Sequence, residues 1–353
     1  MAEINLTWWN LQNFFDTDDD PISKDFEYTA AHGWTQALFE AKRDNLAEAL
    51  MATHAGEGPD LLAVCEIEND DLMQQLIDAM GRSGMKLVRD RSGTSDLRGI
   101  DVAMAYNSHK LKVVSRKSHL VHLRYRTRDI FEVTFEVKTT GERLTLIASH
   151  WPSRSMGRYR TAPLRMAVAE HIAYLVEARV KFEPQEYEGL RAAGDLQAVR
   201  DRWESKVLVV GDFNDEPHDR SLIDHLKAGN DLDRVTGATN DIDGFKAEVA
   251  DYRQQDVFLF NACWPFLGQD GVGSYFMAGT RGGEQFVNRY QVLDNLVASR
   301  GMLRGQGLSL DLSTVDLFRD SLVATGSDRP RGFSRSSGKG TSDHLPLTAV
   351  LRY

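Results

Sequence analysis

Short apolar runs that stop on a polar, chemistry-bearing residue recur along this chain, and they constrain its fold more than any other feature. Ile4-Asn5-Leu6-Thr7-Trp8 alternates as a half-buried strand does and ends at Trp9-Asn10-Leu11-Gln12-Asn13. Asp60-Leu61-Leu62-Ala63-Val64-Cys65, behind a proline, reads as a buried strand and stops at Glu66-Ile67-Glu68-Asn69. Leu144 to His150 ends on its histidine, and Val207 to Val210 runs into Gly211-Asp212-Phe213-Asn214. Ser342-Asp343-His344-Leu345-Pro346 stands just before a last apolar run, Leu347 to Leu351. Strands that each deliver a polar group at one end imply a sheet rim on which those groups collect. Gln291 to Ser299 reads as another strand, and inside it Asp294 adds a carboxylate whose burial without a partner is costly.

The segments between these runs define the class. Helical spacing covers Trp34 to Met51, Leu72 to Met80 (closed by Gly81) and Ala162 to Val180. Strand-like runs cover Met85 to Val88, Asp101 to Tyr106, Lys112 to Ser115 and Ile130 to Val137, the last hairpinned through Thr140-Gly141 to Leu144. Strands alternate with helices early and then follow one another, which points away from a purely parallel doubly wound sheet. Lys181 to Ser205 is charged and poor in large apolar groups, a surface helical insertion, while Asp311 to Lys339 has little pattern and reads as a loop. No repeat or linker separates two cores, so residues 1–353 are read as a single domain with insertions near 181–205 and 304–340.

Composition enters where it limits partners. The net charge of −10 does not advertise a nucleic-acid binder, but the charge is uneven. Arg89 to Arg128 carries ten Lys/Arg, Trp151 to Met166 four Arg and no acid, and Arg329 to Lys339 four basic residues and no acid. A phosphate-binding face on an acidic body fits this pattern, although any one run also serves to solvate a surface. Two cysteines exclude a disulfide framework and a four-cysteine zinc site. No apolar run approaches the ~20 residues of a membrane span, and the amino terminus has no basic region followed by an apolar one, so the expected location is cytoplasmic.

Taken singly, each polar residue has an ordinary explanation: Asn10 caps a turn, Glu66 is a solvated loop acid, His150 is a satisfied histidine beside Trp151. Together they supply oxygen ligands for a hard cation, two histidines, and a carboxylate able to orient one of them, which is what hydrolysis of a phosphate ester needs. The series Trp-Asn-Leu-Gln-Asn, Val-Cys-Glu-Ile-Glu-Asn, Arg98-Gly99-Ile100-Asp101-Val102-Ala103, Ser149-His150-Trp151-Pro152-Ser153-Arg154, Gly-Asp-Phe-Asn-Asp and Ser-Asp-His-Leu-Pro resembles the endonuclease/exonuclease/phosphatase superfamily. That superfamily includes pancreatic deoxyribonuclease, abasic-site endonucleases, bacterial sphingomyelinases and inositol polyphosphate phosphatases. The wording here looks most like its bacterial branch of predicted nucleases.

The resemblance implies an α/β fold, a four-layer sandwich of two packed, mostly antiparallel sheets flanked by helices. It also implies a role for each matched residue. Glu66 is the principal ligand of Mg2+ or Mn2+, helped by Asn10 and Asp343. Asp212 positions or deprotonates the attacking water, and Asn214 helps hold that water or the phosphate. His344 meets the scissile phosphate, with Asp294 fixing its tautomer. His150 matches the second histidine of the deoxyribonuclease and sphingomyelinase branches, where abasic-site enzymes carry a tyrosine. Arg98, Arg128 and Arg154 are candidates for further phosphate contacts, each equally readable as a surface arginine paired to an acid. The implied activity is phosphodiester hydrolysis, with nucleic acid as the expected substrate and a small or lipid-headgroup phosphoester as the alternative.

Overall fold

A computed structural model describes residues 2–19, 25–89, 101–123, 127–241, 249–278 and 289–353, and the statements below concern those. Its strands, in chain order, are β1 (Glu3–Phe14), β2 (Leu61–Ile67), β3 (Met85–Leu87), β4 (Asp101–Asn107), β5 (Leu111–His119), β6 (Ile130–Val137), β7 (Arg143–His150) and β8 (Val207–Asp212). They continue as β9 (Ala228–Gly229), β10 (Leu259–Asn261), β11 (Tyr275–Phe276), β12 (Tyr290–Gln291), β13 (Asp294–Ala298), β14 (Ser309–Leu317) and β15 (Leu347–Arg352). Two large sheets result, one ordered β14-β15-β1-β2-β4-β3 and the other β5-β6-β7-β8-β13-β10-β9. Each has a parallel pair at its centre, β1 with β2 and β7 with β8, flanked by antiparallel neighbours, and the second sheet ends in a further short parallel pair, β9 with β10. Parallel neighbours need a crossover, supplied by helix α1 (Gln36–Ala52) in the first sheet and by α3 (Arg158–Val180) in the second.

Strand periodicity explains why residues Val207 to Val210 of β8 are all apolar. Leu208 and Val210 point into the core shared by the two sheets, whereas Val207 and Val209 point outward under Val168, Ile172 and Val176 of α3. Burying each such side chain is worth about 2 kcal/mol, so this strand is pinned from both faces. Gly211 then has to be glycine: a Cβ there would collide with the carbonyl oxygen of Ser149 on β7 and with the Phe213 ring. Helix α2 (Asp70–Met80) begins where Asn69 accepts a hydrogen bond from Leu72 N at 2.9 Å, with Asp70 and Asp71 in its first turn, and it ends at left-handed Gly81. The asparagine of Glu-Ile-Glu-Asn is thus a helix cap.

The charged stretch 181–205 forms two short helices, α4 (Pro184–Ala192) and α5 (Leu196–Trp203), as the sequence suggests. Two readings are corrected. The stretch taken as a patternless loop contains β14, which pairs with β15, and its remainder docks as a hairpin with Ser334 opposite Lys339. Asn45 of α1 donates to the carbonyls of Gly338 and Gly340, so this hairpin is tied down by backbone rather than by apolar periodicity. Gln291 to Ser299 is two strands, because Val292 and Leu293 break register and leave Asp294 as the first residue of β13. Among the described residues no helix is long and apolar enough to cross a membrane.

Candidate active site

The carboxyl ends of the two central parallel pairs face one another, and there the polar residues collect. His150 and Asp212 are the last residues of β7 and β8 and lie side by side in register. Asp294 opens β13 directly opposite Asp212. From the other sheet, Asn10 of β1 donates its amide to Asp212 Oδ2 at 3.0 Å. His344, in the turn before β15, places Nδ1 2.7 Å from Asp294 Oδ2 and Nε2 3.8 Å from Asp212 Oδ2. His150 Nε2 lies 3.5 Å from Asp212 Oδ2 and 3.8 Å from Glu66 Oε1, bridging the two halves. Asn214 donates its backbone N–H to Asp212 Oδ1 at 2.9 Å and its side-chain amide to the Trp151 carbonyl at 3.1 Å.

Backbone strain concentrates at this rim. Gln12, Asn13, Glu66 and Asn214 all have φ between +50° and +59°, a region side-chain-bearing residues rarely adopt. In β1 and β2 these residues coincide with breaks in register, between Asn10 and Phe14 and between Cys65 and Ile67. The bulges turn Glu66 off the face its strand position would give and point the Asn13 N–H at Glu66 Oε2, 2.9 Å away.

Electrostatics sorts the roles. Burial pushes the Asp212 carboxyl up to about 7, reinforced by the charge of Asp294 and opposed by His344 and by hydrogen bonds from Asn214 and Asn10. Burial alone would depress His344, but Asp294, Asp212 and Asp343 together hold it at about 10. A base poised near neutrality beside a histidine held as imidazolium is the pairing that acid–base chemistry on a phosphate uses. Asp294 is fully committed: Oδ1 accepts from Trp8 Nε1 at 2.7 Å, Oδ2 from His344, and its own N–H is held by Ser274 Oγ at 3.0 Å. Burial, and next the charge of Glu66, raise the Asp343 carboxyl, with His344 and Lys42 opposing, so Glu66 and Asp343 share one neighbourhood.

Among the described residues, one set of three His, Asp or Glu side chains has ligand atoms all within 4.8 Å of one another, Asp212, Asp294 and His344. This differs from the metal set expected from the sequence. With Asp294 bonded to both His344 and Trp8, the trio has the chemistry of a proton-handling group. Glu66, Asp343 and Asn10 instead offer hard oxygen donors. The Asn10 side-chain oxygen Oδ1 accepts from Gln12 N at 2.9 Å and keeps a second lone pair. A carboxylate raised chiefly by burial, with the charge of a second carboxylate adding to it, is a donor set whose charge a divalent cation offsets, so these residues fit such an ion.

The three arginines fare differently. Arg98 lies outside the described residues. Arg128 is buried with Nη1 3.3 Å from the Trp151 carbonyl, the same oxygen that Asn214 engages, which puts it beside the site. Arg154 turns inward, donating to Asp219 Oδ2 at 2.7 Å and Asp215 Oδ1 at 3.0 Å, with Arg165 and Arg158 on the same two acids. Its guanidinium is occupied, and it braces the turn after Asn214.

Sequence reasoning passed over Trp8, Trp9, Ser342 and Lys42. Trp9 Nε1 donates to the His344 carbonyl at 2.8 Å, and Ser342 Oγ donates to the Asn10 carbonyl at 2.6 Å, fixing the last loop onto β1. A Trp-Trp doublet in a strand signals two ring N–H groups that need partners once buried. Lys42 falls on the buried stripe Phe39, Lys42, Leu46, Ala49, Leu50 of α1, a cation where the spacing calls for an apolar residue.

The chain belongs to the endonuclease/exonuclease/phosphatase family, whose sequence pattern matches residues 5–352. Members are hydrolases acting on phosphoester bonds and are generally dependent on divalent metal. No curated protein matches the sequence significantly. Among solved structures, a family member from Bacteroides thetaiotaomicron is 12% identical with a TM-score of 0.54, covering 100% of this chain and 98% of its own. D. rerio TDP2 complexed with a single-strand DNA product is 12% identical with a TM-score of 0.52, covering 100% of both chains. A B. thetaiotaomicron mannosyl-6-phosphatase is 12% identical with a TM-score of 0.53, covering 99% of this chain and 100% of its own. At this identity the likenesses show the fold, the α/β sandwich of two sheets flanked by helices.

Proposed function

We propose that this chain is a single-domain nuclease that cleaves phosphodiester bonds of DNA or RNA by in-line attack of water, with Mg2+ or Mn2+ held by Glu66, Asp343 and Asn10. The observation that supports it best is the division of labour between Asp212, raised to about 7, and His344, held at about 10 across one shared space. In the reaction Asp212 orients the attacking water and takes its proton. His344 donates from Nε2 to the phosphate, and Asp294 keeps the proton on Nδ1. His150 and Asn214 steady Asp212 and the non-bridging oxygens. Arg128 is the remaining candidate among the described arginines for a phosphate contact. When bound, the cation supplies positive charge where negative charge builds on the phosphate and leaving oxygen.

Purified protein incubated with plasmid, single-stranded DNA and RNA, in Mg2+, Mn2+ or chelator, should cleave at least one of them only with metal. Glu66→Ala should abolish Mn2+ binding by calorimetry and lower the rate at least about 10³-fold. A second reading, hydrolysis of a small phosphoester, is favoured by the net charge of −10 and by the commitment of Arg154 to Asp215 and Asp219. Metal-dependent phosphate release from small esters with all three nucleic acids intact would replace the first reading by the second.

A further inference from the structure

Lys42 is nearly fully buried, 2% exposed, on the α1 face turned toward the bulge of β1. Its ammonium donates to the carbonyl of Gln12 and, at 3.3 Å, to that of Asn13, the two adjacent residues of left-handed φ. Asn13 gives its N–H to Glu66, while the Gln12 side chain accepts from Phe333 N at 2.7 Å and the Phe333 ring lies 5.5 Å from Lys42 Nζ. One side-chain nitrogen therefore ties the strained turn, the anchoring of Glu66 and the docked C-terminal hairpin together. An L-residue in the left-handed region is strained, so two in succession need an external hold, and Lys42 is hydrogen-bonded to the carbonyls of both.

We propose that Lys42 is a positioning residue for the metal side of the site: by clamping the Gln12 and Asn13 carbonyls it fixes the bulge that presents Glu66 to the cation. This rests on the assignment of Glu66 as metal ligand. Two views of Lys42 predict opposite signs. If it acts only as a positive charge near Glu66 and Asp343, its removal makes the pocket more negative and tightens cation binding. If it acts through the bulge, removal weakens cation binding although a repelling charge has gone.

The test is Mn2+ titration by calorimetry on wild type, Lys42→Met and Lys42→Met/Asn13→Gly, with thermal melts to establish that each is folded. The expected result is at least tenfold weaker Mn2+ binding in K42M and partial recovery in the double variant, because glycine adopts positive φ without a clamp. Unchanged or tighter binding in K42M, or no recovery with glycine, overturns the proposal. If K42M does not fold, Lys42→Gln replaces it, with the same expectation. If wild type binds no Mn2+, or Glu66→Ala binds it as wild type does, the assignment of Glu66 fails instead.

Discussion

Asp294→Asn removes one charge and one well-placed acceptor from the buried pair that holds His344. In the native site the carboxylate meets Nδ1 at 2.7 Å, and it leads the influences that overcome burial and keep His344 at about 10. The distance from an ordinary 6.5 to about 10 corresponds to roughly 5 kcal/mol in favour of the imidazolium. With the charge gone, burial is opposed only by Asp212 and Asp343, and the imidazolium is held far less firmly. A smaller fraction of such a histidine is protonated at pH 8, which lowers the rate before orientation is considered. The asparagine amide can also turn its NH2 toward Nδ1 and select the wrong tautomer, which brings the expected loss to about 10²–10⁴.

The assay is kcat/KM against pH on a synthetic aryl phosphodiester, with metal saturating. Wild-type activity should rise as Asp212 loses its proton through about 7 and persist until His344 loses its own near about 10. In the variant the alkaline limb should move to lower pH. The pair should also show in stability. Because His344 is raised on folding, its contribution is complete below about 6.5 and is lost as pH rises through about 10. A variant that keeps the alkaline limb and loses only a uniform factor, or that stays within about threefold of wild type at pH 8, would refute the assignment.

Trp8→Phe deletes the N–H that satisfies Asp294 Oδ1; it should cost about 1–3 kcal/mol in urea denaturation and lower kcat with KM unchanged. Arg154→Met should cost about 3 kcal/mol, because it strips a buried partner from Asp215 and Asp219, while KM stays the same; a raised KM at unaltered stability would return Arg154 to the substrate. His54 is pushed down to about 4, chiefly by burial, with Nε2 3.0 Å from Thr7 Oγ1. Its unfolded form binds a proton below about 6.5, so stability should fall by up to about 3 kcal/mol between pH 6.5 and 4, and His54→Gln should flatten that slope in denaturant melts at several pH values.

What could be read from the sequence follows from what a linear pattern encodes. Strand ends were legible because apolar runs are set by burial, and the residue that ends such a run sits at a rim. His150 and Asp212 are found where that logic places them, in register at the ends of β7 and β8, whereas Asp294, read inside a strand, opens β13. The partnership of His344 with Asp294 spans 50 residues and came from resemblance, since no local periodicity links them. Arg154 stays open in the sequence between phosphate and acid, because a basic residue after a histidine looks the same whether it faces solvent or two acids 61 and 65 residues away.

The least legible part is the metal side, and the reason is geometric. Glu66 follows an apolar strand, and regular alternation would assign its face by parity, yet the bulges on β1 and β2 reset that parity. The residues that carry the strain, Gln12, Asn13 and Glu66, are not glycines, so nothing in their identity announces positive φ. What does announce it is the lysine on the buried stripe of α1. A cation placed where a core residue belongs implies buried acceptors that ordinary strand pairing has left unused, and the two carbonyls that Lys42 engages meet that description. An exception to helical periodicity in one element therefore reports a distortion in another, and the distortion lies where Glu66 is held.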